Sequence, residues 1–194
     1  MQIIVRAKEE RWFQTRDNPN RHEATSGPKS ASAIAPGSPC AENDRDAIWK
    51  IFRAVVARGD TYVFDPHISR TKALGYWFGQ KRRCYVAVSD ERILGTYILN
   101  ANQPGLGSHV ANAGFMVAPS AQGRGIGRSM AVHCLREAER LGFRAMQFNL
   151  RRLYQQNCTT PLERPGFRIA GRLPGAFRHT PGRICRCLCD VSAA

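Results

Sequence analysis

Residues 113–130, AGFMVAPSAQGRGIGRSM, decide the fold of this chain. The segment begins as an apolar strand, turns at Ala118-Pro119 and passes through a glycine-rich turn, QGRGIG at 122–127, into a helix predicted for residues 124–141. Glycines let the backbone turn sharply and approach a ligand closely. The first amides of a helix lack internal partners and point outward as donors, and the helix dipole adds partial positive charge there. The turn is therefore predicted to bind a pyrophosphate.

The spacing within this turn excludes two well-known phosphate-binding motifs. A Walker loop requires Gly-Lys followed by Ser or Thr, which is absent, and the dinucleotide fingerprint requires a third glycine where Arg128 stands. The remaining pattern, Gln-x-x-Gly-x-Gly, resembles the acetyl-CoA motif of the GNAT superfamily of N-acetyltransferases. The alternative is a plain strand-to-helix connection that binds nothing.

The flanking residues extend the resemblance to the GNAT superfamily. Residues 113–130 are similar to its fourth strand, pyrophosphate loop and third helix, residues 166–177 (GFRIAGRLPGAF) to its sixth strand and the loop after it, and residues 41–52 (AENDRDAIWKIF) to its first helix. The resemblance covers about residues 41–150 and 166–180.

The predicted elements agree with an α/β fold of this type. Periodicity predicts helices at 42–58 and 68–79 and a hairpin of strands at 83–89 and 93–99. The resemblance implies a mixed, mostly antiparallel sheet flanked by helices. It also implies a splayed parallel pair of strands, at 109–117 and 144–150.

Composition bounds the domain organisation and location. Hydrophobic residues make up 43% and charged residues 23% of the 194, which is ordinary globular composition. Residues 1–40 are polar and then rich in Ser, Ala, Pro and Gly, so we predict a poorly ordered segment there and an N-acetyltransferase domain at 41–194. No apolar run is long enough for a membrane span, and the N-terminus lacks a signal-peptide core. We expect a cytoplasmic protein with no membrane partner.

Charge and cysteine usage exclude other classes. The net charge of +14 is compatible with nucleic-acid binding, but the arginines are scattered and form no face interleaved with aromatic residues, so we expect no nucleic-acid partner. The seven cysteines are odd in number and contain no Cys-x-x-Cys pair. They indicate neither a disulfide framework nor a zinc site, and we expect no metal.

The resemblance implies acetyl-CoA as co-substrate, with its pantetheine arm in the strand opening. The arm would bond the backbone from Phe115 to Val117 as an added strand. A backbone N–H at Met116 or Val117 is predicted to be the oxyanion donor, a role that needs placement more than side-chain identity. The residues predicted to contact acetyl-CoA are Phe115, Met116, Val117, Gln122, Gly123, Arg124, Gly125, Ile126, Gly127, Arg128 and Ser129.

Residues 102–119, NQPGLGSHVANAGFMVAP, resemble the GNAT branch that acetylates small cyclic imino acids such as azetidine-2-carboxylate. The resemblance implies that Asn112 and Asn149 contact a small amine or imino acid. Asn offers both a donor and an acceptor, although the two residues could instead satisfy loose backbone groups of the split strands. A general base is not evident; the candidates are His109, Glu91 and ordered water.

Residues 151–165, RRLYQQNCTTPLERP, depart from the family, which has a CoA-contacting helix there. Pro161 and Pro165 disfavour a helix. If the codons that can encode this stretch are read one base later, they can encode a segment similar to the missing family motif. The same one-base shift from Arg183 onward permits a segment similar to the family's last strand. We therefore interpret 151–165 and 181–194 as frameshifted segments. Two alternatives to an active enzyme stay open: an inactive or decayed acetyl-CoA-binding domain and, less favoured, a basic nucleic-acid-binding protein. A homodimer also stays open.

Overall fold

A computed structural model describes residues 35–152, 167–178 and 184–192. It contains a seven-stranded sheet in the order β1-β2-β3-β4-β5-β7-β6. The strands are β1 (Ala35–Pro39), β2 (Arg83–Ser89), β3 (Arg92–Ala101), β4 (Val110–Val117), β5 (Ala145–Arg152), β6 (Phe167–Arg178) and β7 (Ile184–Ser192). The helices are α1 (Arg45–Val56), α2 (Arg70–Trp77) and α3 (Ile126–Arg140). Short 3₁₀ turns lie at Glu42–Asp44, Gly105–Gly107 and Pro119–Ala121.

The pairing of β4 with β5 is the feature that organises the sheet. All other neighbouring strands are antiparallel, whereas β4 and β5 are parallel and pair only through Val110 with Ala145 and Ala111 with Met146. Beyond these two pairs the strands separate. The predicted mixed, mostly antiparallel sheet with a splayed parallel pair is confirmed.

Most predicted elements are present with small changes at their ends. Strand β2 has the predicted bounds, and the predicted turn after it holds Asp90 and Glu91 at φ 49° and 58°. Positive φ at both central residues is what a two-residue hairpin turn needs to match the strand twist. Helix α3 starts at Ile126, two residues later than predicted, because Gly123 and Gly125 hold positive φ angles of 77° and 79°.

Two predictions near the N-terminus need correction. Strand β1, at Ala35–Pro39, pairs with β2 inside the segment predicted to be poorly ordered, while residues 1–34 lie outside the described residues. A disulfide joins Cys40 to Cys84, although the cysteine pattern indicated none. The pairing of β1 with β2 brings together two cysteines that lie 44 residues apart in the chain.

The segments interpreted as frameshifted are only partly described. Residues 153–166 lie outside the described residues, and residues 184–192 form β7 between β5 and β6. The frameshift stays a prediction that the coding DNA would test. Cys185, Cys187 and Cys189 all lie in β7.

Two hydrophobic layers cover the two faces of the sheet. Helix α3 packs on one face through Met130 and Cys134, and helices α1 and α2 pack on the other through Phe52 and Trp77. Side chains in β3 alternate between them, since Tyr97 and Leu99 join the α3 layer and Ile98 joins the other. No helix in the described part of the chain is long and apolar enough to cross a membrane.

Candidate active site

The glycine-rich turn before α3 has the geometry of an anion-binding site. Gly123 and Gly125 hold φ angles near +80°, which other residues rarely adopt. A Cβ placed on either glycine would meet no heavy atom within 4 Å, so the space beside the turn is open. A phosphate group would fit there without displacing the protein.

Unpaired amides face this space. The first hydrogen bond of α3 runs from the amide of Ser129 to the carbonyl of Gly125 at 3.0 Å. The amides of residues 126–128 therefore have no acceptor within the helix. Ile126 is buried and anchors the first turn, while Arg124 and Arg128 are exposed. These residues fit a pyrophosphate, whose charge the arginines and the helix dipole would balance.

The hydrogen bonds of β4 alternate between β3 and the opening. The amide of Ala118 donates to Leu94, and the carbonyl of Val110 accepts from Asn102, so the even-numbered residues of β4 bond to β3. The odd-numbered residues direct their N–H and C=O groups away from β3. Phe115 and Val117 therefore present backbone donors and acceptors to the gap between β4 and β5.

This alternation separates the two predicted oxyanion donors. The N–H of Met116 points to its register partner Thr96 in β3, so Met116 cannot supply it without breaking the sheet. The N–H of Val117 points into the opening. Of the two residues, Val117 therefore turns its N–H toward the gap, whereas the Met116 side chain is buried against α1 and α2; the oxyanion role stays a prediction.

Tyr62, which the sequence analysis did not select, contacts the opening. Its hydroxyl donates to the carbonyl of Phe115 at 2.8 Å from the loop between α1 and α2. The ring stacks on Phe64 with centroids 5.8 Å apart. Burial raises the pKa of Tyr62 well above its ordinary value, with a smaller contribution from Tyr76, so the hydroxyl stays a neutral donor. Two aromatic residues alternating in a short loop, at 62 and 64, were the available signal.

Asn112 lies on the face of the sheet that α1 and α2 cover. It is half-buried, and its Nδ2 donates to Oδ1 of Asn102 at 3.0 Å. Nδ2 of Asn102 in turn donates to Oε1 of Gln147 at 3.1 Å. Asn149 lies two residues further along β5, and its side chain is outside the described residues. Gln147 was not predicted from the sequence, where its signal was a polar residue between Met146 and Phe148 in a buried strand.

The two side chains predicted as candidate bases, His109 and Glu91, are both exposed. His109 precedes β4, is exposed, and has its Nδ1 3.0 Å from the carbonyl of Leu106. It is eight residues from Val117, roughly 26 Å at about 3.3 Å per residue. Glu91 is exposed in the β2–β3 turn.

Comparison with known proteins agrees with this geometry. The sequence profile described as "Acetyltransferase (GNAT) family" matches residues 46–158, which is 113 of the 194 residues. The chain is also similar to N-acetyltransferase aca1 of Schizosaccharomyces pombe, at 32% identity over 111 residues that cover 49% of this chain and 53% of that protein. It thus spans about half the length of this relative.

Solved structures show the same fold. A GCN5-related N-acetyltransferase from Kribbella flavida superposes with a TM-score of 0.75 at 34% identity, over 81% of this chain and 96% of that one. A GNAT superfamily phosphinothricin acetyltransferase from Sinorhizobium meliloti, solved in complex with acetyl-CoA, gives a TM-score of 0.71 at 17% identity over 81% and 86%. This chain therefore belongs to the Acetyltransferase (GNAT) family, as its glycine-rich turn, its splayed strands, the profile match and the Kribbella relative together show.

Proposed function

We propose that the protein is an N-acetyltransferase that passes the acetyl group of acetyl-CoA directly to the nitrogen of a small amine or imino acid in a ternary complex. The observation that carries this proposal is the gap between β4 and β5, which begins beside Asn112 and widens toward the glycine turn. Family membership and the acetyl-CoA bound in the Sinorhizobium enzyme support the choice of co-substrate.

Two groups of residues would hold acetyl-CoA. The amides of residues 126–128, with Arg124 and Arg128, would bind the pyrophosphate. The N–H of Phe115 and the backbone of Val117 would bind the pantetheine arm, since these groups point into the gap and the carbonyl of Phe115 already accepts from Tyr62. Bound there, acetyl-CoA supplies an activated acetyl thioester.

The chain contributes orientation and a backbone donor. A backbone N–H of β4 that points into the gap, that of Phe115 or of Val117, would stabilise negative charge that develops on the carbonyl oxygen. Loss of one such donor in other enzymes lowers kcat by about 10²–10³-fold. Holding the two reactants side by side supplies a further part of the rate. The amine nitrogen bonds to the acetyl carbonyl carbon, the C–S bond breaks, and the sulfur leaves as the free thiol of CoA, so that the proton lost by the amine is balanced. The candidates that would carry this proton are His109, Glu91 and ordered water.

The space beside Asn112 favours a small acceptor. Gly114 follows it on the same face, and a Cβ there would lie 3.2 Å from the Tyr62 hydroxyl and 3.7 Å from Cγ1 of Ile98. This close approach leaves little room beside Gly114, which favours a compact ring over a bulky acceptor. The resemblance of residues 102–119 to the imino-acid branch supports azetidine-2-carboxylate as the first compound to test.

Calorimetry with acetyl-CoA and a thiol-release assay over amines and imino acids test this function. Asn112→Ala and Asn149→Ala should raise KM or lower kcat for the acceptor while acetyl-CoA affinity stays nearly unchanged. Normal turnover in both variants would show that these residues only support the backbone. Acetyl-CoA binding without turnover of any amine would favour the inactive acetyl-CoA-binding domain.

Cytoplasmic location and a homodimer stay predictions. Cell fractionation tests the first, and the Cys40–Cys84 disulfide is the observation against it, because disulfides are rare in cytosolic proteins. Sedimentation of the purified protein tests the second.

A further inference from the structure

Three side-chain amides form a chain of hydrogen bonds across the start of the β4–β5 gap. Asn112 in β4 donates to Asn102, which follows β3, and Asn102 donates to Gln147 in β5. Gln147 is 2% exposed, so one end of the chain is fixed within the protein. Asn112 is half-buried and forms the end that reaches the acceptor side.

The direction of this chain determines which atom of Asn112 is left for a ligand. Oε1 of Gln147 accepts from Asn102, Oδ1 of Asn102 accepts from Asn112, and the Nδ2 of Asn112 is thereby committed to Asn102. Within the described part of the chain, Oδ1 of Asn112 accepts no hydrogen bond. The neighbouring Asn100 does not compete, because its own Nδ2 donates to the carbonyl of Ala101 at 2.7 Å.

We propose that Asn102 and Gln147 are positioning residues that turn the carbonyl oxygen of Asn112 toward the acceptor, and that the site thereby selects an acceptor presenting an N–H donor. This proposal rests on the proposed function, since it takes the face of Asn112 as the acceptor side. A side-chain amide carbonyl accepts hydrogen bonds and cannot donate them. It therefore pairs with the N–H of a primary or secondary amine and repels the oxygen of a carboxylate.

The proposal changes the expected role of Asn112. The sequence allowed either asparagine to contact the carboxylate of an imino acid. With Nδ2 held by Asn102, Asn112 serves the ring nitrogen, and the carboxylate must be bound by another group. A cyclic amine that lacks the carboxylate, such as azetidine, would then keep the contact with Asn112 that azetidine-2-carboxylate makes.

Two substitutions of Asn102 test the direction of the chain. In Asn102→Asp the carboxylate can only accept, so it still takes the hydrogen bond from Asn112 and holds its carbonyl outward, while the Gln147 amide must turn its Nε2 toward the carboxylate in place of the bond that Oε1 accepted. In Asn102→Leu the side chain has a similar volume but no acceptor, so the Asn112 amide is free to rotate. The measurements are kcat and KM for azetidine and for azetidine-2-carboxylate, with the acetyl-CoA dissociation constant as control.

We expect Asn102→Leu to raise the KM for azetidine about 3–10-fold, the loss of roughly one hydrogen bond, and Asn102→Asp to stay within about twofold of wild type. Acetyl-CoA affinity should be unchanged in both. If the KM for azetidine rises as much in Asn102→Asp as in Asn102→Leu, the chain of hydrogen bonds runs in the opposite direction and the proposal is overturned. If both variants match wild type, Asn102 does not position Asn112.

A second measurement separates this proposal from the proposed function. In amide NMR spectra of the full chain, the side-chain NH₂ of Asn112 should exchange slowly with solvent in wild type and Asn102→Asp and rapidly in Asn102→Leu. Wild-type protein that turns over neither probe would sink the acceptor assignment, while this exchange pattern would still report the hydrogen bond. Rapid exchange in wild type would overturn the positioning role by itself.

Discussion

Replacing Gly125 by alanine separates the conformational role of this residue from its role in ligand binding. Gly125 is the N-cap of α3 at φ 79° and ψ 1°, in the left-handed region. An L-residue there costs about 1–2 kcal/mol. The new Cβ would meet no heavy atom within 4 Å, so no steric cost is added. For a domain of this size we expect a melting temperature roughly 2–8 °C lower.

The same Cβ enters the open space beside the first amides of α3. Acetyl-CoA affinity should therefore fall about tenfold or more, which is roughly 1.4 kcal/mol or more of binding free energy. Isothermal titration calorimetry with acetyl-CoA measures this directly. Gly125→Asp or Gly127→Asp should abolish binding, because a carboxylate would face the pyrophosphate.

Gly142 offers a matched control at the other end of the same helix. It holds φ 81°, and a Cβ there would also meet no heavy atom within 4 Å. Gly142→Ala should lose similar stability and keep its acetyl-CoA affinity. Unchanged affinity in Gly125→Ala, or an equal loss in both variants, would refute the placement of the pyrophosphate site.

Three further predictions concern stability. Thr96→Val should lower the free energy of unfolding by about 1–3 kcal/mol, because the buried Trp77 indole N–H donates to Oγ1 of Thr96 at 3.0 Å and would lose its partner; Thr96→Ser should remain near wild type in urea unfolding. Burial lowers the pKa of His133 in the folded protein below its ordinary 6.5, so the unfolded chain takes up a proton at a higher pH than the folded one. The free energy of unfolding that His133 contributes is therefore present above pH 6.5 and should be lost as the pH falls through the lower folded pKa. His133→Asn should flatten that dependence between pH 7.5 and 5, and a parallel slope would contradict the assignment. Reducing the Cys40–Cys84 disulfide should lower the free energy of unfolding by about 3–4 kcal/mol, because the bond closes a loop and so restricts the unfolded chain. Equal urea midpoints with and without dithiothreitol would argue against the bond.

The local elements were predictable because their signals lie within a few residues of one another. The turn at 122–127, the helix after it and the hairpin with Asp90 and Glu91 each follow from glycine placement, periodicity and turn chemistry. The ends moved by one to three residues, and at the start of α3 the backbone angles of the glycines set the shift. The mixed sheet followed from the family resemblance.

The candidate site was predictable only where a motif carried it. Gly123, Gly125 and Asn112 stand in motifs that the sequence displays. Tyr62 reaches Phe115 across 53 residues and Gln147 reaches Asn102 across 45, through contacts between segments that carry no shared pattern.

The glycine-rich turn, the order of helices and strands and the family resemblance can be read from the sequence, because these depend on backbone preferences and apolar periodicity over short stretches. Three features depend on tertiary structure: the N–H of Val117, and not that of Met116, points into the gap, Tyr62 donates to Phe115, and Asn102 holds the Nδ2 of Asn112. The reason is strand register. Which backbone groups a neighbouring strand consumes, and which side chains meet across a sheet, are set by the packing of distant segments and not by the residues on either side.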